Sequence, residues 1–432
     1  MKNLELKKVV TLCCAALLVP ALTMAEPSKT GIKGTTDYIK SQAKDAPSAY
    51  GQVEGEQVLK VSEVVPNLAL TGSNYVLKEN VFNDGFMNRY TLDTSYGIMS
   101  VISTAKLHKR IHELNVIAEI ESISKEQEFI DGVTEKGKDV VVGAKKFITS
   151  PIKSLSNAVS GVGKLFQRAG ENLTEQARSD QESRLEAISG YAKTKRDYAN
   201  QLNVDVYSRN TVLQEQLDNL TKSGYAGNML SALTIGVFTG PIVTTTGTTN
   251  LLNKVIADTA PEDLRKMNRE KLAKMGVIDT IADEFIANGS YSPREQTVLV
   301  NALAEMSTTK GQQQFIKTAT NADHYDVTYF RQVQAEMYAS HSRNIAHLKT
   351  FTKLGPFVAA VTEDNVVVVN LPLDYMLWTK AMATVIQSLS EHVAGLEWAK
   401  GKKMYFTGSV SPLARKNLTN LGWDVVENTS AL

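Results

Sequence analysis

The residues with the clearest chemical pattern lie between positions 140 and 170. This window contains five cationic side chains and no acidic one, with apolar residues at three- and four-residue spacing. An amphipathic segment of this kind can lie in a bilayer interface, held by apolar burial and by attraction to anionic lipid headgroups. The residues that we expect to make this contact are Lys145, Lys146, Phe147, Ile148, Lys153, Lys164, Leu165 and Phe166.

Two other interpretations of the same window remain open. The apolar residues could pack inside the protein and leave the lysines in solvent, or the window could bind another envelope protein. Glycines interrupt the segment, and each glycine costs a helix about 1 kcal/mol, so a rigid isolated helix is disfavoured. The local absence of acids is what favours an anionic surface as the partner.

A second group of candidate residues follows predicted strands near the C-terminus. Asp374 and Trp378 come after one strand, and Thr407 and Ser409 join another strand to a helix. Ligands in α/β layers tend to bind at the carboxyl ends of strands, and amides at a helix N-terminus can hold an anion. These four residues are therefore candidate ligand contacts. The alternative is structural, because turns and first helical turns favour the same residue types.

Metal and catalytic motifs are not evident. His108 and His112 share a helix face with Glu119, but the spacing is not that of a metalloprotease, and we predict no metal site. No nucleophile elbow and no phosphate-binding loop occurs, so catalytic residues remain unknown, enzymatic activity is left open and no cofactor is predicted. The formal net charge of +1 gives no global attraction to nucleic acid, and none is expected as a partner.

The N-terminus has the features of a secretory signal. Three lysines precede an apolar run from Val9 to Leu22, and small residues at Thr23 and Ala25 suit cleavage after Ala25. The run is too short for a membrane span. Cleavage would remove Cys13 and Cys14, the only two cysteines, and would place the mature protein in the periplasm or outside the cell.

The elements that must position these residues follow from hydrophobic periodicity and turn signals. With 43% hydrophobic residues, the chain is too apolar for a disordered protein. We predict an α+β, helix-dominated fold with a small N-terminal antiparallel β meander, a long helical middle and a C-terminal α/β module. The predicted regions are a signal peptide (1–25), a flexible arm (26–60), the meander plus a helix (61–130), the Gly-rich basic segment (131–170), the helical domain (171–350) and the α/β module (351–432).

Within these regions, the pattern predicts individual elements. A helix from Ala105 to about residue 123 should pack on the meander, and the polar stretch 171–224 should form two long helices that could drive self-association. Capping boxes at Thr259–Glu262 and Ser292–Glu295 mark helix starts in an array of five helices at 261–275, 277–288, 293–306, 311–321 and 325–348. A hairpin around Asn365 and a helix from Asp374 to His392 should begin the α/β module.

Two functions from different classes are compatible with these predicted elements and candidate residues. The first is a non-catalytic cell-envelope protein that associates with an anionic membrane surface or with an envelope protein. The second is an enzyme or small-ligand binder whose site lies in the C-terminal α/β module. An exposed apolar stripe along 140–170 would favour the first, and a pocket joining the strand ends near Asp374 and Ser409 would favour the second.

Overall fold

The computed structural model describes residues 51–135, 190–223, 250–354 and 357–429 of the 432-residue chain. The α+β prediction is confirmed. An N-terminal antiparallel sheet is followed by a helical middle and by a C-terminal mixed sheet with helices. The predicted signal peptide, most of the arm and the basic segment 140–170 lie outside the described residues.

The predicted N-terminal antiparallel sheet is present and contains five strands. Its elements are β1 (Gln57–Lys60), a short helix α1 (Val61–Val64), β2 (Tyr75–Leu77), β3 (Asn80–Asn83), β4 (Asn88–Thr94) and β5 (Gly97–Ile102). β4 is central, with β5 along one side and β2 and β3 along the other, and β1 pairs with β3. The arm predicted for 26–60 therefore ends earlier, because its last four residues form β1 against β3.

A long helix, α2 (Thr104–Glu135), covers one face of this sheet. It extends beyond the predicted end near residue 123. Leu107, Ile111 and Leu114 are fully buried against Tyr90 and Leu92, the inward-facing residues of β4. The alternation of β4 and the helical spacing of α2 thus meet in one core, as the periodicities predicted.

Two helices from the polar stretch complete the N-terminal unit. They are α3 (Tyr191–Gln201) and α4 (Thr211–Ser223), and their apolar residues Leu202, Leu213 and Leu217 join the same core. Asn203 has a positive φ of 53° directly after α3, which ends the helix and begins a loop. The described part of the stretch therefore holds two short helices where we predicted long ones.

The five predicted helices of the helical array are present with similar bounds, and one further helix precedes them. The helices of the array are α5 (Asn250–Asp258), α6 (Pro261–Lys274), α7 (Asp279–Ile286), α8 (Pro293–Glu305), α9 (Gln312–Thr320) and α10 (Tyr325–Asn344). The capping box of Ser292 and Glu295 is present at the start of α8. The box predicted at Thr259 is wrong, because the N-cap of α6 is Ala260, which makes no side-chain cap bond, and Pro261 occupies the first helical position.

The C-terminal sheet contains five strands in the order β12-β10-β8-β7-β6. The antiparallel part is β6 (Leu348–Leu354), β7 (Phe357–Thr362) and β8 (Val366–Leu371), with the predicted hairpin between the last two. The chain then continues through β9 (Tyr375–Met376), α11 (Lys380–Ala394), β10 (Gly401–Phe406), β11 (Ser409–Val410), α12 (Pro412–Asn420) and β12 (Asp424–Val426). β8, β10 and β12 are parallel, and β9 pairs with β11.

This sheet is the middle of three layers. Val368 of β8 faces the helical array, whereas Val367 and Val369 face α11 and α12. Strands that are buried on both faces read as continuous apolar runs, which is the pattern of β7 and β8. The helix predicted from Asp374 begins instead at Lys380, because the backbone of the intervening residues bonds to the N-terminal sheet, as Leu377 N does to Gly85 O at 3.0 Å.

Candidate functional site

The predicted ligand residues of the C-terminal module lie together at the carboxyl ends of β8 and β10. Thr407 Oγ1 donates to Leu373 O at 2.9 Å, and Ser409 N donates to Asp374 O at 3.1 Å. The Ser409 hydroxyl donates to Asn428 Oδ1 at 3.3 Å. These side chains therefore bind neighbouring parts of the chain itself, and the ligand role that we predicted for them stays a prediction.

Asp374 fastens the N-terminal unit to the C-terminal module. Its carboxylate accepts N–H bonds from Asn88, at 3.0 Å, and from Thr104, at 3.1 Å. Thr104 is the first residue of α2, so the carboxylate lies at the positive end of that helix. Burial raises the pKa of Asp374 to about 6, and the two backbone donors oppose this rise.

The hairpin turn between β3 and β4 lies against the same strand ends. Asp374 N donates to Phe86 O at 3.2 Å, and Asn83 Nδ2 donates to Tyr375 O at 3.3 Å. Phe86 and Met87 pack on the apolar core formed by the C-terminal sheet and α11. The strand-end edge, where an α/β layer often binds a ligand, is thus occupied by the chain's own turn.

Trp378 also links the C-terminal module to the N-terminal part of the chain, through the segment that precedes β1. Its backbone N donates to Glu54 Oε2 at 2.6 Å, and its carbonyl accepts from Glu54 N at 2.9 Å. The Ser411 hydroxyl also donates to Glu54 Oε2, at 2.5 Å. The indole Nε1 of Trp378 is buried, and no described residue bonds to it.

Charged and aromatic side chains join α2 to α10 beside this edge. Lys106 forms an ion pair with Asp326 at 2.5 Å, and its ammonium lies 4.9 and 4.8 Å from the ring centroids of Tyr325 and Tyr329. Burial lowers the pKa of Lys106, and Asp326 opposes that change. Asp326 neutralises the charge of Lys106 and the two rings pack against its ammonium, so we interpret this layer as structural.

His112 of α2 contacts the loop after α3. His112 Nε2 lies 2.9 Å from Asn203 O, in the loop after α3. Within the described parts of the chain, no group of three or more His, Cys, Asp or Glu side chains is arranged to hold a metal ion. In the same residues, no helix combines the length and apolar character that a membrane crossing requires.

Sequence reasoning missed a polar face on α10 that is buried against the C-terminal sheet. It is formed by Arg331, Gln334, Tyr338 and His341, whose spacing of three, seven and ten residues places them on one side of the helix. The backbone of β8 bonds to this face, since Gln334 Nε2 donates to the backbone carbonyl of Asn370 at 2.8 Å. The available signal was the helical spacing of these polar residues and one Asn within a valine-rich strand.

The partners on this face are incomplete. Tyr338 donates to Val358 O at 3.0 Å and accepts from Asn370 N at 3.2 Å, so its hydroxyl is satisfied. By contrast, Arg331 Nε, Asn370 Oδ1 and both ring nitrogens of His341 are buried with no hydrogen-bond partner among the described residues. Unpaired buried polar atoms are costly, and in native proteins each has a specific explanation, such as backbone strain, a catalytic role or a bound water or ion.

The burial of His341 changes its pKa. Its ring contacts the Tyr405 ring edge-on, with the two centroids 4.7 Å apart. Burial lowers the pKa of His341 to about 4, and the charge of Lys403 contributes in the same direction. The imidazole is therefore neutral at physiological pH.

The basic residues predicted to bind a membrane, Lys145 to Phe166, lie outside the described residues, so their contacts stay a prediction. No protein-family model matches the chain, and no curated protein or solved structure matches it either.

Proposed function

We propose that this protein is an exported, non-catalytic component of the cell envelope that associates with an anionic membrane surface through residues 140–170. The observation that carries the proposal is the charge pattern of that window, which has five cations, no acid and apolar residues at helical spacing. Near an anionic surface, each lysine or arginine contributes about 1 kcal/mol of attraction. Burial of the apolar residues in the interface adds to this.

The position of the segment in the chain supports the proposal. It lies between α2 and α3, two helices that contribute to the same N-terminal core. The described side chains that α2 contributes to this core run from Leu107 to Ile120, whereas the helix continues to Glu135. A surface-binding segment between these two packed helices would be connected to the folded protein at both ends of the segment.

Sedimentation with vesicles tests the proposal. We expect residues 26–432 to sediment with phosphatidylglycerol vesicles and to remain in solution with phosphatidylcholine vesicles. The fourfold variant Lys145/Lys146/Lys153/Lys164→Glu should lose sedimentation, because it reverses the charges that face the anionic lipid. Higher salt should weaken the binding of the unmodified protein, because ions screen the attraction.

A matched variant separates a local effect from a change in total charge. Lys266, Lys274, Lys349 and Lys416 are exposed, and their fourfold change to Glu alters the net charge by the same amount. This control should sediment like the unmodified protein. The proposal fails if the unmodified protein does not sediment, or if both fourfold variants lose sedimentation equally.

A further inference from the structure

A buried guanidinium without a carboxylate is the most unusual group in the described residues. Arg331 is 7% exposed, and its Nη1 donates to Gln334 Oε1 at 2.8 Å. Its Nε has no hydrogen-bond partner among the described residues. Burial lowers the pKa of Arg331, and the groups that oppose this change are the hydroxyls of Tyr291 and Tyr338 rather than a carboxylate of the described residues. Arginine is rarely buried unless it is paired, because the loss of hydration of an isolated charge is expensive.

The acid nearest along the helix does not supply the missing charge. Glu336 lies five residues after Arg331, which places it about 140° around the helix. Its carboxylate accepts from Gln332 Nε2 at 3.1 Å, on that other side. The ring of Phe330 contacts the Arg331 guanidinium at 5.6 Å, but an aromatic ring does not neutralise the charge.

A second unpaired group belongs to Asn370, which bonds to the same glutamine as Arg331 does. Gln334 bonds to Arg331 through its Oε1 and to the backbone carbonyl of Asn370 through its Nε2, so it links the two residues across the α10–β8 contact. Asn370 Oδ1 is buried and unpaired. We call Arg331, Gln334 and Asn370 the α10–β8 seam. It presents a cationic donor and an amide where the polar face of α10 meets the C-terminal sheet.

We propose that the α10–β8 seam binds a small organic acid whose carboxylate pairs with Arg331 and whose hydroxyl or amino group bonds to Asn370. A carboxylate matches the planar donors of a guanidinium, and the bond from Nη1 to Gln334 leaves the Nε edge for it. One monoanion neutralises the single charge of the seam. A phosphate at neutral pH would bring a larger negative charge than this one cation balances.

This inference does not depend on membrane binding, and it locates the ligand-binding alternative away from Asp374 and Ser409. Thermal unfolding of the full chain tests it with acetate, lactate, glycine and succinate as probes, and with inorganic phosphate and sodium chloride at equal ionic strength as controls. The midpoint should rise with the logarithm of the concentration of a hydroxy- or amino-carboxylate. Phosphate should raise the midpoint no more than chloride does.

Three variants make the test specific. Arg331→Met should abolish the response to carboxylates and should unfold at a higher temperature than the unmodified chain when no carboxylate is present, because it removes an unpaired buried charge. Arg331→Lys keeps the charge but lacks the planar fork, so its response should need at least about tenfold more ligand. Arg343→Met is the matched control, since Arg343 is an exposed residue of the same helix, and it should respond like the unmodified chain.

Three results would overturn the inference. The first is that no carboxylate raises the midpoint of the unmodified chain above chloride. The second is an equal response of the unmodified chain and Arg331→Met. The third is a loss of stability in Arg331→Met without ligand, which would mean that the protein itself pairs the guanidinium.

Discussion

Asp374 is half-buried and His341 is buried, and the shifts of their pKa values act on stability in opposite directions. The pKa of Asp374 is about 6 in the folded protein, above the usual value, so its contribution is fully present in acid and is lost as the pH rises through about 6. The pKa of His341 is about 4, below the usual value, so its contribution is present above about pH 6.5 and is lost as the pH falls toward 4. The two effects oppose each other over the same range.

Replacing His341 with phenylalanine should remove the contribution of His341 to the pH dependence and leave that of Asp374. The variant keeps the ring contact with Tyr405 and removes two unpaired nitrogens, so its free energy of unfolding at about pH 7.5 should rise by about 1 kcal/mol. At about pH 4.5 its advantage should grow by a further 2–3 kcal/mol or so, because only the unmodified protein must keep a histidine unprotonated. Urea unfolding at both pH values measures this. The exposed His347→Phe is the control, and a pH-independent advantage of His341→Phe would contradict the assignment.

At the scale of elements, the start of a helix is predictable where a local cap determines it. The box at α8 consists of Glu295 N donating to Ser292 Oγ at 3.1 Å and Ser292 N donating to Glu295 Oε2 at 2.9 Å. Ser292→Ala should therefore lower the free energy of unfolding by about 1 kcal/mol. Thr259→Ala, at the box that did not form, should change it far less. Chemical denaturation of both variants checks the difference, and equal losses would contradict the role of the cap.

The start of α8 was predictable because residues three apart in the chain determine it. The start of α11 was not, since the segment before it bonds to Gly85 and Phe86, which are nearly 300 residues away in the sequence. The polar face of α10 was missed for the same reason. Its residues become a cluster only when Asn370 is placed opposite them, and the sequence does not specify which strand a helix covers. Local signals therefore predicted most elements but not the contacts between them.

At the scale of the whole molecule, the N-terminal unit is docked on the C-terminal module through a joint at the carboxyl ends of β8 and β10. The turn between β3 and β4, the carboxylate of Asp374 and the side chain of Glu54 all contribute bonds to it. The bonds link residues that are far apart in sequence, so the joint forms only when both units have folded. Its disruption should separate the units before either core melts.

The substitution Gly408→Ala, which adds one methyl group, should disrupt this joint. A Cβ at Gly408 would lie 1.9 Å from the carbonyl oxygen of Asp374, a backbone atom that cannot rotate away. Gly408→Ala must therefore displace Asp374, whose carboxylate holds the amides of Asn88 and Thr104. We expect the free energy of unfolding to fall by more than about 2 kcal/mol. Hydrogen exchange should speed up at Asn88 and Thr104 while the amide of Glu295, in the α8 cap, remains protected.

Gly55→Ala provides the matched control for this prediction. Gly55 is exposed near the same joint, and a Cβ there would meet no atom within 4 Å. This variant should keep the stability and the exchange rates of the unmodified protein. If Gly408→Ala unfolds like Gly55→Ala, the close approach of Gly408 to Asp374 does not hold the two units together. If exchange rises everywhere at once, the units unfold as one, and the joint is part of a single cooperative core.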